Sequence, residues 1–161
     1  MDLRDALFGE ILKLARKHKE IMVLTADMTA FTLDDMAKEL PDRVLNVGIA
    51  EQNMINVATG LALSGKKVFC YTIASFLLQR AYEQIKINLS DMNLPITLIG
   101  IGAERDYATD GGTHQIMHDR EIIKVLPHFS IYEVDCEELA RKYVGVAYSS
   151  KNPVYLRVRK V

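Results

Sequence analysis

The stretch Val44-Leu45-Asn46-Val47-Gly48-Ile49-Ala50-Glu51-Gln52-Asn53-Met54 decides the reading of this chain. A short apolar run over 44–47 meets a glycine. A helical pattern over 49–63 follows, closed by Gly65. The junction sets one carboxylate, Glu51, in the first turn of that helix. Outward from it, helix-period and strand-like runs alternate along the chain. Leu3, Leu7, Ile11 and Leu14 predict an amphipathic helix. Strands are predicted over 21–26, 44–47, 67–72, 96–101, 130–134 and 154–158. Further helices are predicted over 33–40, stopping before Pro41, and over 75–89, 119–125 and 137–148. A long loop, 102–118, interrupts the pattern.

The strands are continuous apolar runs, as expected of a parallel sheet covered on both faces. The fold class that follows is α/β: a three-layer α/β/α sandwich around a mainly parallel sheet of about six strands. Residues 1–161 read as one domain, without linker, repeat or low-complexity segment. Ligands of such sheets bind beyond the carboxyl ends of the strands. Asp27, the 48–51 junction, the 72–76 segment and the 102–118 loop all fall at that edge.

Composition narrows the classes. The chain has 161 residues, 49% hydrophobic and 25% charged, with a formal net charge of -1. That is ordinary for a soluble domain and gives no electrostatic case for nucleic acid. Lys66-Lys67 and Arg16-Lys17-His18-Lys19 read as a turn and a solvated helix end. Cys70 and Cys136 form no CxxC, and Cys70 lies in an apolar run, so a buried thiol is expected. No apolar run is long enough to cross a membrane, and Asp2, Arg4 and Asp5 do not suit a signal peptide. A cytoplasmic location is the expectation.

Three groups of residues can carry chemistry. Gly48 and Glu51 have the spacing of a capping box, and spacing alone favours that structural role. The alternative is that Glu51 handles a proton on a ring nitrogen, which a rigid strand-to-helix junction is suited to support. Asp110-Gly111-Gly112-Thr113-His114-Gln115 offers polar groups on a loop. A metal reading of His114 and His118 with Asp110 and Asp119 is weakened by Gly111-Gly112, which places His114 off a helix. No metal ligands are assigned. Gly100-Ile101-Gly102 ends a strand and is not a dinucleotide loop.

The segment from Asp42 to Met54, with its GIAEQ, resembles the pyrimidine-binding domain of the transketolases and of deoxyxylulose-phosphate synthase. Gly60-Leu61-Ala62-Leu63, the segment from Phe76 to Ile85, and DGGTHQ continue the resemblance in order from Arg4 to Tyr148. It implies the thiamine diphosphate-binding fold and a transketolase-like transferase. Glu51 then hydrogen-bonds the cofactor's N1′ as the catalytic acid. Phe76 and Ile73 match an aromatic pair that packs on the aminopyrimidine, with Ile73 in place of an aromatic. Ile49 and Asp27 belong to the same cofactor set. His114, Asp110 and Arg4 match residues that contact the sugar substrate, Arg4 at its phosphate. Gly102 and Phe31 stand where transketolases carry a histidine and a serine that hold the phosphate, so a different substrate grip is expected.

The family's GDG motif for the diphosphate and Mg²⁺ is not in this sequence. The resemblance therefore implies a split enzyme. This chain would be its pyrimidine-binding subunit. A partner of the transketolase N-terminal type would hold the diphosphate and Mg²⁺, in a heterotetramer acting on a small-molecule ketose or 2-oxo donor. Ala58, Gly60 and Ala62 would permit close packing on that partner or on this chain's own sheet. Two readings compete: a β-type subunit of a 2-oxo acid decarboxylase or dehydrogenase, against which DGGTHQ speaks, and a non-catalytic interaction paralogue.

Overall fold

Alternation of buried residues builds the molecule. The computed structural model describes residues 2–160. Six strands, β1 (Ile21–Thr25), β2 (Val44–Asn46), β3 (Lys67–Ile73), β4 (Thr97–Ile101), β5 (Ser130–Val134) and β6 (Val154–Val158), form one sheet in the order β2-β1-β3-β4-β6-β5. Every neighbouring pair is parallel. Ile21, Val23, Phe69, Tyr71, Ile73, Ile99, Ile101, Val154, Leu156 and Val158 feed a core on one face. Met22, Leu24, Val68, Cys70, Leu98 and Tyr155 feed a second core on the other. Successive side chains of a strand point to opposite faces, so burial on both faces leaves no polar alternation. The thiol of Cys70 is buried, which pushes its pKa up.

The helices divide between the faces. α1 (Leu3–Lys17), α2 (Phe31–Glu39) and α6 (Glu137–Ser149) cover the first core. Asp2 caps α1, its side chain accepting from the Arg4 N–H. α3 (Glu51–Leu63) and α5 (Asp119–Lys124) cover the second, together with a wide helix over 76–91. That wide helix differs from the ordinary helix expected there. Two π-helical segments, Phe76–Arg80 and Ile85–Asp91, flank the short α4 (Tyr82–Gln84). Periodicity over 75–89 marks an apolar face but does not distinguish a five-residue hydrogen-bond step from a four-residue one.

Strand order sets the position of the site. The chain leaves β1 towards β2 on one side and leaves β3 towards β4 on the other. The carboxyl ends of β1 and β3 therefore flank a topological switch point, where parallel sheets open a crevice. Asn46 closes its edge. Its Oδ1 accepts the backbone N–H of Asp27 at 3.1 Å and of Gly48 at 2.9 Å, tying the ends of β1 and β2 together. Gly48 turns the chain at φ +75°, a conformation that suits glycine.

The 102–118 loop is anchored from β6. Arg157, only 2% exposed, donates to Asp119 at 2.7 Å, Glu133 at 2.7 Å and Glu104 at 2.8 Å. Glu104 stands at one end of the loop and Asp119 just past the other. Arg159 adds two bonds to Asp106, at 2.8 and 3.0 Å. A backbone bridge joins Glu104 to Ile116, and Ser75 Oγ donates to the Thr113 carbonyl at 2.7 Å. At the loop's start Gly102 has φ +77°, and a Cβ there would come within 1.9 Å of the Tyr107 ring. Only glycine fits under that ring.

These ion pairs set a pH dependence. The Arg157 guanidinium holds the Glu104 carboxyl below its usual range. For Asp106, burial pulls the pKa up, but Arg159 and the Lys160 N–H outweigh it, and the net shift is down. Depressed carboxylates stabilise the fold above their unfolded pKa, near 4, and that contribution is lost as pH falls through the folded values. Protection factors of the loop amides, taken against unstructured-peptide rates at each pH, should be high at pH 7 and fall below about pH 4, before those of the sheet amides. Arg157→Met should lower stability by about 3–5 kcal/mol, because it leaves the buried Asp119 carboxylate without its ionic partner. Urea melts measure this, and an unchanged midpoint would contradict the anchoring role.

Candidate functional site

Glu51 is the first residue of α3, with Ala50 at the N-cap and no side-chain cap. The capping-box geometry expected from Gly48 and Glu51 is thus absent: the helix begins two residues later than its pattern, and Glu51 cannot reach back from the third position. The carboxylate is 4% exposed. Its Oε1 accepts from Arg80 Nη1 at 2.9 Å. Glu51 is thus a buried acid with one ionic partner, at a helix N-terminus and at the mouth of a crevice, and its side chain does not cap the helix.

A cavity of about 280 Å³ opens beside it. Ala26, Asp27 and Met28 line it from the end of β1, Thr72, Ile73 and Phe76 from the end of β3, and Ile49 and Glu51 from the α3 junction. Arg80 and His114 complete the wall. A second, more open cavity of about 560 Å³ continues over Ile49 to Asn53 and Arg80. Phe76 is the centre of the ring contacts. His114 meets it edge-on with centroids 4.8 Å apart, and Arg80 Cζ lies 3.7 Å from its ring centre. The site can therefore hold a flat ring on apolar walls and offer it one carboxylate.

The structure brings Glu51, Asp27, Ile49, Ile73, Phe76 and His114 to this one cavity. It does not bring the other two candidates to it. Asp110 sits on an exposed 3-10 turn, with the Thr109 hydroxyl at 3.3 Å from its Oδ2. Arg4 lines a neighbouring cavity of about 190 Å³ with Thr29, Ala30, Phe31 and Asp34. Its guanidinium is held by Asp2 through Nη2–Oδ2 at 2.5 Å, which raises its pKa further. Asp27 does not cap α2, whose N-cap is Ala30 without a side-chain bond. It stands at φ +52°, a conformation in which aspartate is one of the few tolerated residues. Asp119 is engaged by Arg157 and Tyr155 and is not available to His118. Among the described residues no three His, Cys, Asp or Glu side chains are arranged to hold a metal. On α3, Ala58 is fully buried in this chain's own core, while Gly60 is exposed.

Sequence reasoning missed Arg80 and Asn46. Arg80 stands four residues after Phe76, the spacing of same-face neighbours on a helix, and that spacing is the signal that could have found it. Asn46 looks like a strand end, yet it aligns the two loops that flank the crevice.

Comparison with known proteins places this geometry. The family described as "Transketolase, pyrimidine binding domain" matches residues 1–161. An apulose-4-phosphate transketolase subunit of Phocaeicola vulgatus is 35% identical over 156 residues, covering 96% of this chain and 50% of that protein. The 1-deoxy-D-xylulose-5-phosphate synthase of Clostridium perfringens strain SM101 is 38% identical over 156 residues, 93% of this chain and 24% of that protein. A solved structure titled "Split gene transketolase, inactive beta4 tetramer" superposes with a TM-score of 0.87 at 31% identity, covering 99% of this chain and 51% of that one. The chain spans about half the length of the first of these relatives. Sequence and structure together establish that this chain belongs to the transketolase pyrimidine-binding domain family.

Proposed function

We propose that this chain, as one pyrimidine-binding domain, is the subunit of a split transketolase-like enzyme that holds the aminopyrimidine of thiamine diphosphate. The observation that carries the reading is Glu51, a carboxylate 4% exposed that faces a small apolar cavity beside the Phe76 ring. Bound there, thiamine diphosphate supplies the means to cleave and form a carbon–carbon bond, in transfer of a two-carbon ketol or acyl unit. This chain's residues do the rest. Glu51 bonds N1′ and exchanges its proton. Phe76 and Ile73 would lie against the ring, with Ile49 and Asp27 in the wall of the same cavity. His114 and, from the loop, Asp110 read substrate hydroxyls. Arg4, beside the exposed Phe31, meets an anionic end of the substrate.

A partner chain of the transketolase N-terminal type would hold the diphosphate and Mg²⁺, in a heterotetramer and in the cytoplasm. Two observations support a covering partner: Ile49 is 73% exposed and Phe31 is 85% exposed, both at the carboxyl edge of the sheet. Several relatives are described as subunits, among them the 6-deoxy-6-sulfo-D-fructose transketolase subunit SqwH of Clostridium sp. strain MSTE9. No described helix is long and apolar enough to cross a membrane.

Glu51→Gln is the test of the reading. Glutamine keeps the size and a hydrogen bond but cannot exchange the proton. Folding and assembly should survive while turnover of the reconstituted complex falls by roughly 10²- to 10⁴-fold. Near-normal turnover at saturating cofactor would return Glu51 to a structural role. The substrate grip should also differ from that of an ordinary transketolase, because Phe31 and Gly102 replace polar phosphate contacts. Steady-state kinetics should show xylulose 5-phosphate with ribose 5-phosphate to be a poor pair. A kcat/KM of about 10⁴ M⁻¹s⁻¹ or better for that pair would contradict this.

A further inference from the structure

Arg80 touches both residues to which the proposed reading gives the pyrimidine ring. Its guanidinium lies over the Phe76 ring with Cζ 3.7 Å from the centroid. Its Nη1 donates to Glu51 Oε1 at 2.9 Å. A guanidinium is flat, stacks on aromatic faces and presents N–H donors in its plane. A flat nitrogen heterocycle bound to a carboxylic acid and an aromatic wall makes the same two contacts. Arg80 lines the 280 Å³ cavity and also the open 560 Å³ cavity next to it. Its side chain is 43% exposed, so it has room to withdraw, whereas Glu51 at 4% has none.

We infer that Arg80 is a positioning residue that acts as an internal stand-in for the ring. From the cavity wall it takes up the Glu51 carboxylate and covers the Phe76 ring, and it must swing outward when a flat heterocycle claims those two contacts. The inference rests on the proposed cofactor reading and adds a competition that this reading does not require. Two physical consequences follow. The buried carboxylate is never left without a partner in the empty chain, which would be costly. The incoming ligand must break an ion pair and a cation–π contact, both partly screened by water. Together these weaken binding by about tenfold. A ligand that is itself cationic, such as a thiazolium, is further disfavoured while the guanidinium stays.

The probe is thiamine, which lacks the diphosphate and so reports on this half of the site alone. Ligand-detected NMR titration of the full chain gives the dissociation constant for wild type, Arg80→Ala, Arg80→Lys, Glu51→Gln and the Arg80→Ala/Glu51→Gln double variant. Thermal melts of each check the fold. Arg80→Ala should bind thiamine about tenfold more tightly than wild type. Lysine still pairs with Glu51 but has no plane to lie on Phe76, so Arg80→Lys should gain less, and it carries the test if the alanine variant does not fold. Relative to Glu51→Gln alone, the double variant should keep only the smaller gain that comes from freeing Phe76. If Arg80→Ala binds no more tightly than wild type while Glu51→Gln weakens binding, the stand-in role is overturned and the pyrimidine site stands. If the double variant keeps the full gain, Arg80 acts somewhere other than on Glu51 and the inference also falls. Weak binding by the isolated chain is expected, so thiamine is carried into the millimolar range; if no form binds it even there, both the inference and the site reading fall.

Discussion

A carboxylate that is almost fully shielded from water must be answered by something, and Glu51 is answered by Arg80. That single constraint organises the rim of the sheet. An unpaired buried acid is costly, and a buried acid paired too firmly is useless for chemistry. Here the partner is a half-exposed cation on the turn of a wide helix, free to move without disturbing the core. The acid itself is fixed by the first turn of α3 and by the Asn46 bonds that seat Gly48 behind it. A fixed acid and a half-exposed partner leave this contact open to a competing flat ligand, as the stand-in role of Arg80 requires.

The rest of the molecule holds this arrangement in register. All-parallel pairing puts the ends of β1 and β3 side by side at the switch point, so residues distant in sequence meet at one cavity. The long loop is brought over that cavity by charge. Arg157 gathers Glu104, Asp119 and Glu133, and Arg159 holds Asp106. His114 can then rest on the edge of Phe76 at 4.8 Å instead of sampling solvent. A cluster on β6 with no contact to the cavity thereby sets where His114, part of the cavity wall, stands.

Much of this was legible from residue pattern. Continuous apolar strands and intervening amphipathic helices gave the three layers, and every predicted strand is present to within one residue at each end. The glycine turn before Glu51 marked the site, and the order of motifs marked the family. What was not legible has physical reasons. The start of α3 lies two residues later than its pattern because Ile49 is turned outward at 73% exposure, so its apolar character is not a sign of helix. The π-helical turns over 76–91 share the apolar periodicity of an ordinary helix and left no mark of their own, whereas the four-residue spacing of Phe76 and Arg80 did signal their contact. The Arg157 network joins residues 24, 38 and 53 positions apart, and no local signal announces partners at such range. Arg4 and Asp110, read from the resemblance as substrate contacts and not as part of the cofactor set, sit outside the Glu51 cavity, Arg4 in a neighbouring one and Asp110 on an exposed turn.

The central claim is that this chain supplies half of a cofactor site that a second chain completes. Calorimetry of thiamine diphosphate with Mg²⁺ tests it most directly. The titration is made into this chain, into a diphosphate-binding transketolase-type partner, and into their mixture. The account predicts micromolar binding in the mixture and, for this chain alone, at least about a hundredfold weaker binding, which corresponds to a difference of roughly 2.7 kcal/mol. Micromolar binding by this chain alone would contradict it.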